Sequence, residues 1–209
     1  LPTADITYNS ISPYKYGETV IITATFNEDL LDSPVPQIDI NSSGDTSDNA
    51  INMTKTSTTT YTYSYVVPAE DGTRFISLSN GKDLVGNVIT STPTSGTSFM
   101  LDNTEPTASL AYILNGTAVS SVSGNDVVTI IATFNENIAD SPRMQISGSG
   151  VETISATNMT KVSATSYTYT WTMGTGAGTQ TFALGTGIDI VGNVVTATPT
   201  SGATILIDA

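Results

Sequence analysis

The amino-acid sequence repeats itself once along its whole length. Five short motifs of the first half return in the second half at an offset that stays between 104 and 108 residues. They are ATFNE at 24–28 and 132–136, DSP at 32–34 and 140–142, NMTK at 52–55 and 158–161, YTY at 61–63 and 167–169, and TPTSG at 92–96 and 198–202. A near-constant offset indicates one structural unit in tandem. We therefore predict two domains, 1–103 and 104–209, joined around 102–107.

Within each copy, apolar and polar residues alternate with the period of two that is typical of a half-buried strand. Every second residue of 20–26 is apolar, and 128–134 repeats the pattern. Further alternating runs of the first copy lie near 3–9, 36–41, 51–57, 60–67, 73–79 and 97–102. Clusters of Gly, Pro, Asn, Asp and Ser separate them. Seven short strands in about 100 residues predict an all-β fold, two tandem immunoglobulin-like β-sandwich domains.

The chain contains no cysteine and no histidine. Disulfides, thiolate and imidazole metal sites, and nucleophiles activated by histidine are therefore excluded. An enzymatic interpretation would depend on paired carboxylates, for example Glu28 with Asp32 as acid and base on a glycosidic bond. Because no cofactor motif and no clustered aromatic cleft accompanies these carboxylates, we predict that the chain is not an enzyme.

Acidic residues outnumber basic ones by 19 to 6, which gives a net charge of −13. The excess is shared, with −8 over 1–103 and −5 over 104–209. Such a surface repels phosphate backbones, so we expect no nucleic-acid partner. Carboxylates are also the ligands that hard cations take, which makes calcium the candidate cofactor. Since no apolar stretch approaches the roughly 20 residues that span a bilayer, we expect no membrane insertion in this segment.

The turn KDLVGNV at 82–88 returns as IDIVGNV at 188–194. If seven strands alternate in direction, the loops after the second and sixth strands lie at the end of the domain where the chain enters, its N-terminal pole. The turn would then adjoin the ATFNE loop and the incoming linker. The plain interpretation is a turn whose Asp and Asn side chains bond nearby backbone.

The other interpretation is a calcium site, because calcium takes six to eight oxygen ligands. Glu136 is the predicted strongest ligand, and Gly192 would supply a positive φ that turns the backbone towards the ion. The predicted ligands of the second copy are Asp102, Asn103, Glu105, Glu136, Asp140, Asp189 and Asn193. The equivalent set of the first copy, expected to be weaker, is Glu28, Asp32, Asp83 and Asn87.

TATFNE, the D-x-VGN turn, TPTSG and the junction DNTEPT resemble the bacterial immunoglobulin-like repeats of large cell-surface adhesins and biofilm-associated proteins. The resemblance covers essentially the whole chain. It implies an extracellular, cell-surface segment that spans and presents in cell adhesion, often stiffened by calcium at the junctions. The partners it implies are the neighbouring repeats of the same chain, with surface glycans or other cells contacted through other domains.

Two rows of aromatic residues suggest an alternative function. They are Tyr61, Tyr63 and Tyr65 in the first copy and Tyr167, Tyr169 and Trp171 in the second. Exposed rings could stack on sugar faces, which would make the chain a carbohydrate-binding module or lectin. Because large rings dominate sandwich cores, we expect them to fill the core instead.

Lys55 and Lys161 occupy equivalent positions in a chain with few lysines. Each could form an isopeptide bond with Asn87 or Asn193, as in some surface-protein sandwiches. Their spacing differs from the usual lysine on the first strand and asparagine on the last. We therefore expect solvated lysines paired with carboxylates.

Overall fold

The computed structural model describes residues 1–42 and 50–208, which form strands, bridges and turns. The chain divides into two compact units, one from Leu1 to Asn103 and one from Thr104 onward. Among the described residues there is no helix long and apolar enough to cross a membrane.

The first unit is a sandwich of two four-stranded sheets, with strand orders β1-β2-β6-β5 and β4-β3-β7-β8. Its strands are β1 (Ala4–Tyr8), β2 (Thr19–Phe26), β3 (Gln37–Ser42), β4 (Ile51–Asn52), β5 (Thr54–Lys55), β6 (Thr60–Val66), β7 (Gly72–Ser79) and β8 (Ser98–Leu101). All the pairs within these sheets are antiparallel. The predicted all-β sandwich is confirmed.

One predicted strand, 51–57, is two short strands in different sheets. β4 pairs with β3, whereas β5 pairs with β6. Met53 lies between them with 3% of its surface exposed, and its N–H donates to the Pro36 carbonyl at 3.0 Å. The chain thus crosses from one sheet to the other here. Alternation alone does not reveal such a crossing, because it reports which face of a strand is buried and not which sheet the strand joins.

The second unit is a sandwich of two five-stranded sheets, β10-β9-β12-β16-β15 and β11-β18-β17-β13-β14. Its strands are β9 (Ala108–Leu114), β10 (Thr117–Val119), β11 (Ser121–Ser123), β12 (Val127–Phe134), β13 (Gln145–Gly150), β14 (Ile154–Asn158), β15 (Thr160–Lys161), β16 (Ser166–Thr172), β17 (Gly178–Gly185) and β18 (Thr204–Asp208). β11 pairs with β18 in parallel, while the other pairs are antiparallel.

The hairpin of β9 and β10 is an element that the strand prediction missed. Its turn is Asn115-Gly116, with φ angles of 52° and 81°. Two successive positive φ angles define the tight turn that best matches the twist of a two-stranded hairpin, and Asn-Gly is its preferred sequence. The Asn-Gly dipeptide in the sequence could therefore have predicted this hairpin.

Both cores are built from the alternating faces that the sequence predicts. Val128, Ile130 and Ala132 on β12 are completely buried, as are Ile22 and Ala24 on β2. Full burial of one aliphatic side chain contributes about 1.5–3 kcal/mol. These two strands therefore supply a large part of the energy that holds each pair of sheets together.

The aromatic rows belong to these cores, as expected. Tyr61, Tyr65, Tyr167 and Trp171 are at most 6% exposed, and Tyr63 and Tyr169 are partly buried against the same clusters. Phe26 packs edge-on against Tyr61 at 5.9 Å between ring centroids, and Phe134 packs against Tyr167 in the same way at 5.8 Å. The rows do not form an exposed sugar-stacking platform, which removes the basis of the lectin alternative.

The tyrosines of the first core differ in what their hydroxyls contact. The Tyr8 hydroxyl donates to the Gly96 carbonyl at 2.6 Å, and burial, with a smaller contribution from Tyr14, raises the pKa of Tyr8 to about 12. The Tyr61 hydroxyl is buried without a hydrogen-bond partner among the described residues. An unpaired buried hydroxyl has lost its water without gaining a replacement, which is unfavourable.

We predict that Tyr61→Phe leaves the stability of the first unit unchanged or raises it, because the substitution removes an unpaired buried hydroxyl. Tyr8→Phe should instead lower the free energy of unfolding by about 1–3 kcal/mol, since it leaves the Gly96 carbonyl without that donor. Urea unfolding followed by circular dichroism measures both. An equal loss in the two variants would mean that the Tyr61 hydroxyl is hydrogen-bonded.

Candidate metal centre

The repeated Asp-x-Val-Gly-Asn segment forms a turn in which later residues donate hydrogen bonds to the carboxylate of its aspartate. In the second unit, Asp189 Oδ1 accepts the N–H groups of Val191 at 2.8 Å and Asn193 at 2.9 Å. Its Oδ2 accepts the side-chain amide of Asn193 at 2.7 Å. Gly192 has a φ of +92°, as predicted, in the region that favours glycine. The plain-turn interpretation therefore accounts for the local bonding of Asp189 and Asn193.

The first unit repeats this arrangement around Asp83, which is 3% exposed. Asp83 Oδ1 accepts the N–H groups of Val85 at 3.0 Å and Asn87 at 2.8 Å, and Oδ2 accepts the Asn87 amide at 2.7 Å. Burial by itself would raise the pKa of Asp83, but the hydrogen bonds from Asn87, Val85 and Gly86 together outweigh it and lower the pKa. The ionised carboxylate is thus the form that holds the turn.

Backbone pairing places the turn beside the ATFNE loop in each unit, as the strand-order argument predicts. Ile138 forms an isolated antiparallel bridge with Asp189, and Leu30 does the same with Asp83. The N–H of Ala139 donates to the Ile188 carbonyl at 2.9 Å. The two loops are therefore neighbours at the N-terminal pole of each unit.

The asparagine of ATFNE binds the incoming chain, a role that the sequence reasoning did not assign. Asn135 Oδ1 accepts the N–H of Thr107 at 2.8 Å, and the Asn135 N–H donates to the Thr107 carbonyl at 3.0 Å. Asn27 and Thr3 make the same two bonds, at the same distances, in the first unit. The start of each domain is thereby anchored next to its Asp-centred turn.

Glu136 and Asp189 are the predicted ligands that the second unit brings together. A carboxylate oxygen of each lies within 4.8 Å of the other. Asp189 is 1% exposed, and Glu136 is partly buried. Two negative charges this close repel each other, which is unfavourable in the absence of a cation. A bound cation would remove that cost while taking an oxygen from each side chain.

Asp140 and Asp32 are placed differently from this pair. The Asp140 carboxylate forms an ion pair with Lys161, and Asp32 forms the equivalent pair with Lys55. Both aspartates are more than four-fifths exposed. Their charges are thus neutralised by lysine, which is the paired arrangement expected of Lys55 and Lys161. The asparagines considered for isopeptide bonds, Asn87 and Asn193, instead donate to the aspartates of their own turns.

The predicted linker ligands are divided between the two units. The side chain of Asn103 closes the end of the first unit, because its Oδ1 accepts the Tyr16 N–H and its Nδ2 donates to the Glu70 carbonyl at 3.0 Å. The Asp102 N–H also bonds within the first unit, to the Tyr14 carbonyl at 2.9 Å. Glu105 belongs to the second unit.

Glu105 Oε2 accepts the hydroxyl of Thr196 at 3.3 Å, and the neighbouring Pro106 carbonyl accepts the Thr196 N–H at 2.9 Å. In the first unit, Glu28 is exposed. Within residues 1–42 and 50–103, no three carboxylates lie within 4.8 Å of one another. The weaker set predicted there has no such cluster in the described part of that unit.

Comparison with known proteins gives distant structural similarities. No family model matches the chain, and no curated protein does. A structure of FdeC, a broadly conserved Escherichia coli adhesin, is 12% identical with a TM-score of 0.48, and the match covers 100% of this chain and 64% of that one. The chain thus spans less than two thirds of the length of that structure.

Two further solved structures are more distant by TM-score. The D0-D1 domain of intimin is 14% identical with a TM-score of 0.30, and the match covers 100% of both chains. Dpr2 Ig1-Ig2 in complex with DIP-Theta Ig1-Ig3 is 10% identical with a TM-score of 0.24, over 98% of both chains. The assignment of the fold rests on the strand pairing described above.

We predict that Asp83→Asn lowers the stability of the first unit at neutral pH and flattens its acid dependence. A carboxyl whose pKa is lowered in the folded state stabilises that state above its unfolded pKa of about 3.9. That contribution is lost as the pH falls through the folded value. Thermal unfolding between pH 7 and pH 2 should therefore show a smaller decline below pH 4 for the variant.

Asp29→Asn is the matched control, because it removes the same charge from an exposed position in the neighbouring loop. It should retain the wild-type decline below pH 4. Equal pH profiles for Asp83→Asn and wild type would show that the turn carboxylate is not linked to folding.

Proposed function

We propose that this chain is a non-catalytic, extracellular repeat segment of a surface adhesin or stalk protein, which spans and presents. The repetition of one sandwich unit supports this, because tandem units extend a chain without creating a cleft between catalytic groups. The absence of histidine and cysteine also favours it. Because the aromatic rows are mostly buried in the cores, they favour this mechanical role over a lectin role.

A short linker is the first requirement for such a role. The backbone of Asn103 is bonded within the first unit through its N–H to Asp71 Oδ1, and the Pro106 carbonyl is bonded within the second. Only two residues separate these anchored positions. At roughly 3.3–3.6 Å per residue, the free span is about 10 Å at most, so the linker limits how far the units can separate.

We also propose that the chain binds calcium, and the proximity of the Glu136 and Asp189 carboxylates is the observation that supports this. We assign these side chains as the first two carboxylate ligands and Asp102, four residues before the anchored Pro106, as the third. Backbone carbonyls, Glu105 and water would complete the six to eight oxygens. An ion that takes ligands from both sides of the domain boundary would restrict pivoting of the linker.

We predict that millimolar calcium raises the thermal midpoint of the chain relative to a chelator, whereas magnesium does so less. At a calcium concentration of 100 times Kd, binding to the folded state alone contributes about 2.7 kcal/mol. Glu136→Gln should abolish the shift, because it removes the charge that balances the ion. Glu28→Gln, the same change at the equivalent residue of the first unit, should keep it.

An identical midpoint in calcium and in chelator would contradict this assignment. So would a calcium shift that survives Glu136→Gln but disappears in Glu28→Gln, since it would move the ion to the first unit.

We also predict that calcium narrows the distribution of angles between the units, as small-angle X-ray scattering reports it. Without the ion, the crowded carboxylates repel and the linker pivots. Glu136→Ala should show the broader distribution even in calcium, while circular dichroism shows both sandwiches folded. Global unfolding of Glu136→Ala would instead assign Glu136 a structural role.

A further inference from the structure

A cavity of about 350 Å³ opens in the second unit between the loop after β12 and the short strand β15. Its size is within the lower range of small-molecule sites, which is about 300–1,000 Å³. The calcium ligands assigned above, Glu136, Asp189 and Asp102, are not among its lining residues. The lining residues with a chemical role are Asp140, Arg143, Met144, Met159, Lys161 and Tyr167.

Two buried methionines line the inner wall of the cavity. Met144 and Met159 are at most 5% exposed, and the Met159 N–H donates to the Met144 carbonyl at 2.8 Å, which joins their backbones. Methionine side chains are flexible and polarisable, so they adjust to ligands of irregular outline. The ring of Tyr167 also lines the cavity, braced by its edge contact with Phe134.

The rim carries one net positive charge in a strongly acidic chain. Lys161 is paired with Asp140. In the part of the chain that the structure describes, no carboxylate lies within ion-pair distance of the exposed Arg143 guanidinium. The backbone at Arg143 is held by the Thr186 hydroxyl, which donates to the Arg143 carbonyl at 2.7 Å. Arg143 therefore presents a guanidinium with unused donors on a fixed loop.

The cavity also contains the hydroxyl group of Tyr167, which is buried. The Tyr167 hydroxyl makes no hydrogen bond of normal geometry among the described residues, and the Lys161 ammonium is its polar neighbour. Lys161 is 37% exposed, and its pair with Asp140 is at the surface. Exposed ion pairs contribute at most about 1 kcal/mol, so the ammonium can turn towards an entering anion at little cost. That movement would open the Tyr167 hydroxyl to a ligand.

We propose that this cavity binds a small monocarboxylate that also carries hydroxyl groups, of which a uronic acid residue of a glycan is the simplest example. The carboxylate would bind Arg143 through two parallel N–H groups. The C–H face of the ring would lie on Met144 and Met159, and a ring hydroxyl would bond Tyr167. The single negative charge of the ligand matches the single net positive charge of the rim. This site gives the segment a ligand of its own, independent of calcium.

The first unit provides an internal control. It repeats the ion pair, as Lys55 with Asp32, and the unpaired hydroxyl, at Tyr61. The residue equivalent to Arg143 is Val35, in DSPV against DSPR. The first unit thus lacks the guanidinium to which the carboxylate would bind, and it should not bind the ligand.

The test is an NMR titration of the full chain with sodium glucuronate in calcium-free buffer, with glucose as the uncharged control. We expect glucuronate to shift the resonances of the cavity residues in the second unit and to leave the Lys55 region unchanged. Glucose should cause no shift at either place. Arg143→Val should weaken glucuronate binding about tenfold or more, which corresponds to the loss of hydrogen bonds to a charged group. Arg143→Lys should have an intermediate effect.

Two further variants distinguish the parts of the proposal. Val35→Arg should create glucuronate binding in the first unit. Tyr167→Phe should weaken binding of glucuronate and leave that of acetate unchanged, because only glucuronate supplies a hydroxyl. Arg143→Val is expected to fold, since valine occupies the equivalent position of the first unit, and the amide spectrum of the variant checks this.

Three outcomes would overturn the proposal. The first is equal shifts with glucose and glucuronate, and the second is wild-type affinity in a folded Arg143→Val variant. The third is tighter binding of N-acetylalanine than of glucuronate, which would assign the site to the carboxylate of a polypeptide rather than to a sugar acid.

Discussion

Burial of one face of β2 and β12 is the constraint on which the rest of each unit depends. Because a slip of one residue would expose every buried side chain, this burial fixes the register of the strand. A fixed register ends the strand at Phe134, so that Asn135 meets Thr107 and Glu136 follows at the N-terminal pole. Hydrophobic packing therefore sets the position of the candidate site. A few hydrogen bonds then hold the loop after β12 against the incoming chain.

The acidic residues of the second unit illustrate how environment divides one residue type into several roles. Asp189 stabilises its own turn by accepting three hydrogen bonds, and Asp140 is neutralised by Lys161. The Glu136 carboxylate lies close to Asp189. Because hydrogen bonds within the turn already hold the Asp189 carboxylate, binding of a cation would require little further ordering of Asp189.

The two copies have diverged where polar groups enter the sandwich. Arg74 on β7 is 5% exposed and pairs with Glu70 at 2.9 Å. The corresponding Gln180 on β17 is completely buried, and it bonds the Glu152 backbone through its amide nitrogen at 3.0 Å and its amide oxygen at 2.8 Å. Each solution satisfies a buried polar group, as such positions require. Equivalent positions of the two units thus carry different polar groups, and Val35 and Arg143 differ in the same way in the loop after the second predicted strand of each copy.

The sequence by itself determined the repeated all-β sandwich, most of its strands and the proximity of the turn to the ATFNE loop. These follow from the repeat and from a period of two, which are local patterns that one chain displays. Only the tertiary structure decided which carboxylate meets which partner, because Asp140 and Lys161 are 21 residues apart and Glu136 and Asp189 are further apart still. It likewise decided that 51–57 crosses between sheets and that Asn103 closes the first unit. Such choices depend on packing between distant segments, whose energies no local pattern of residues records.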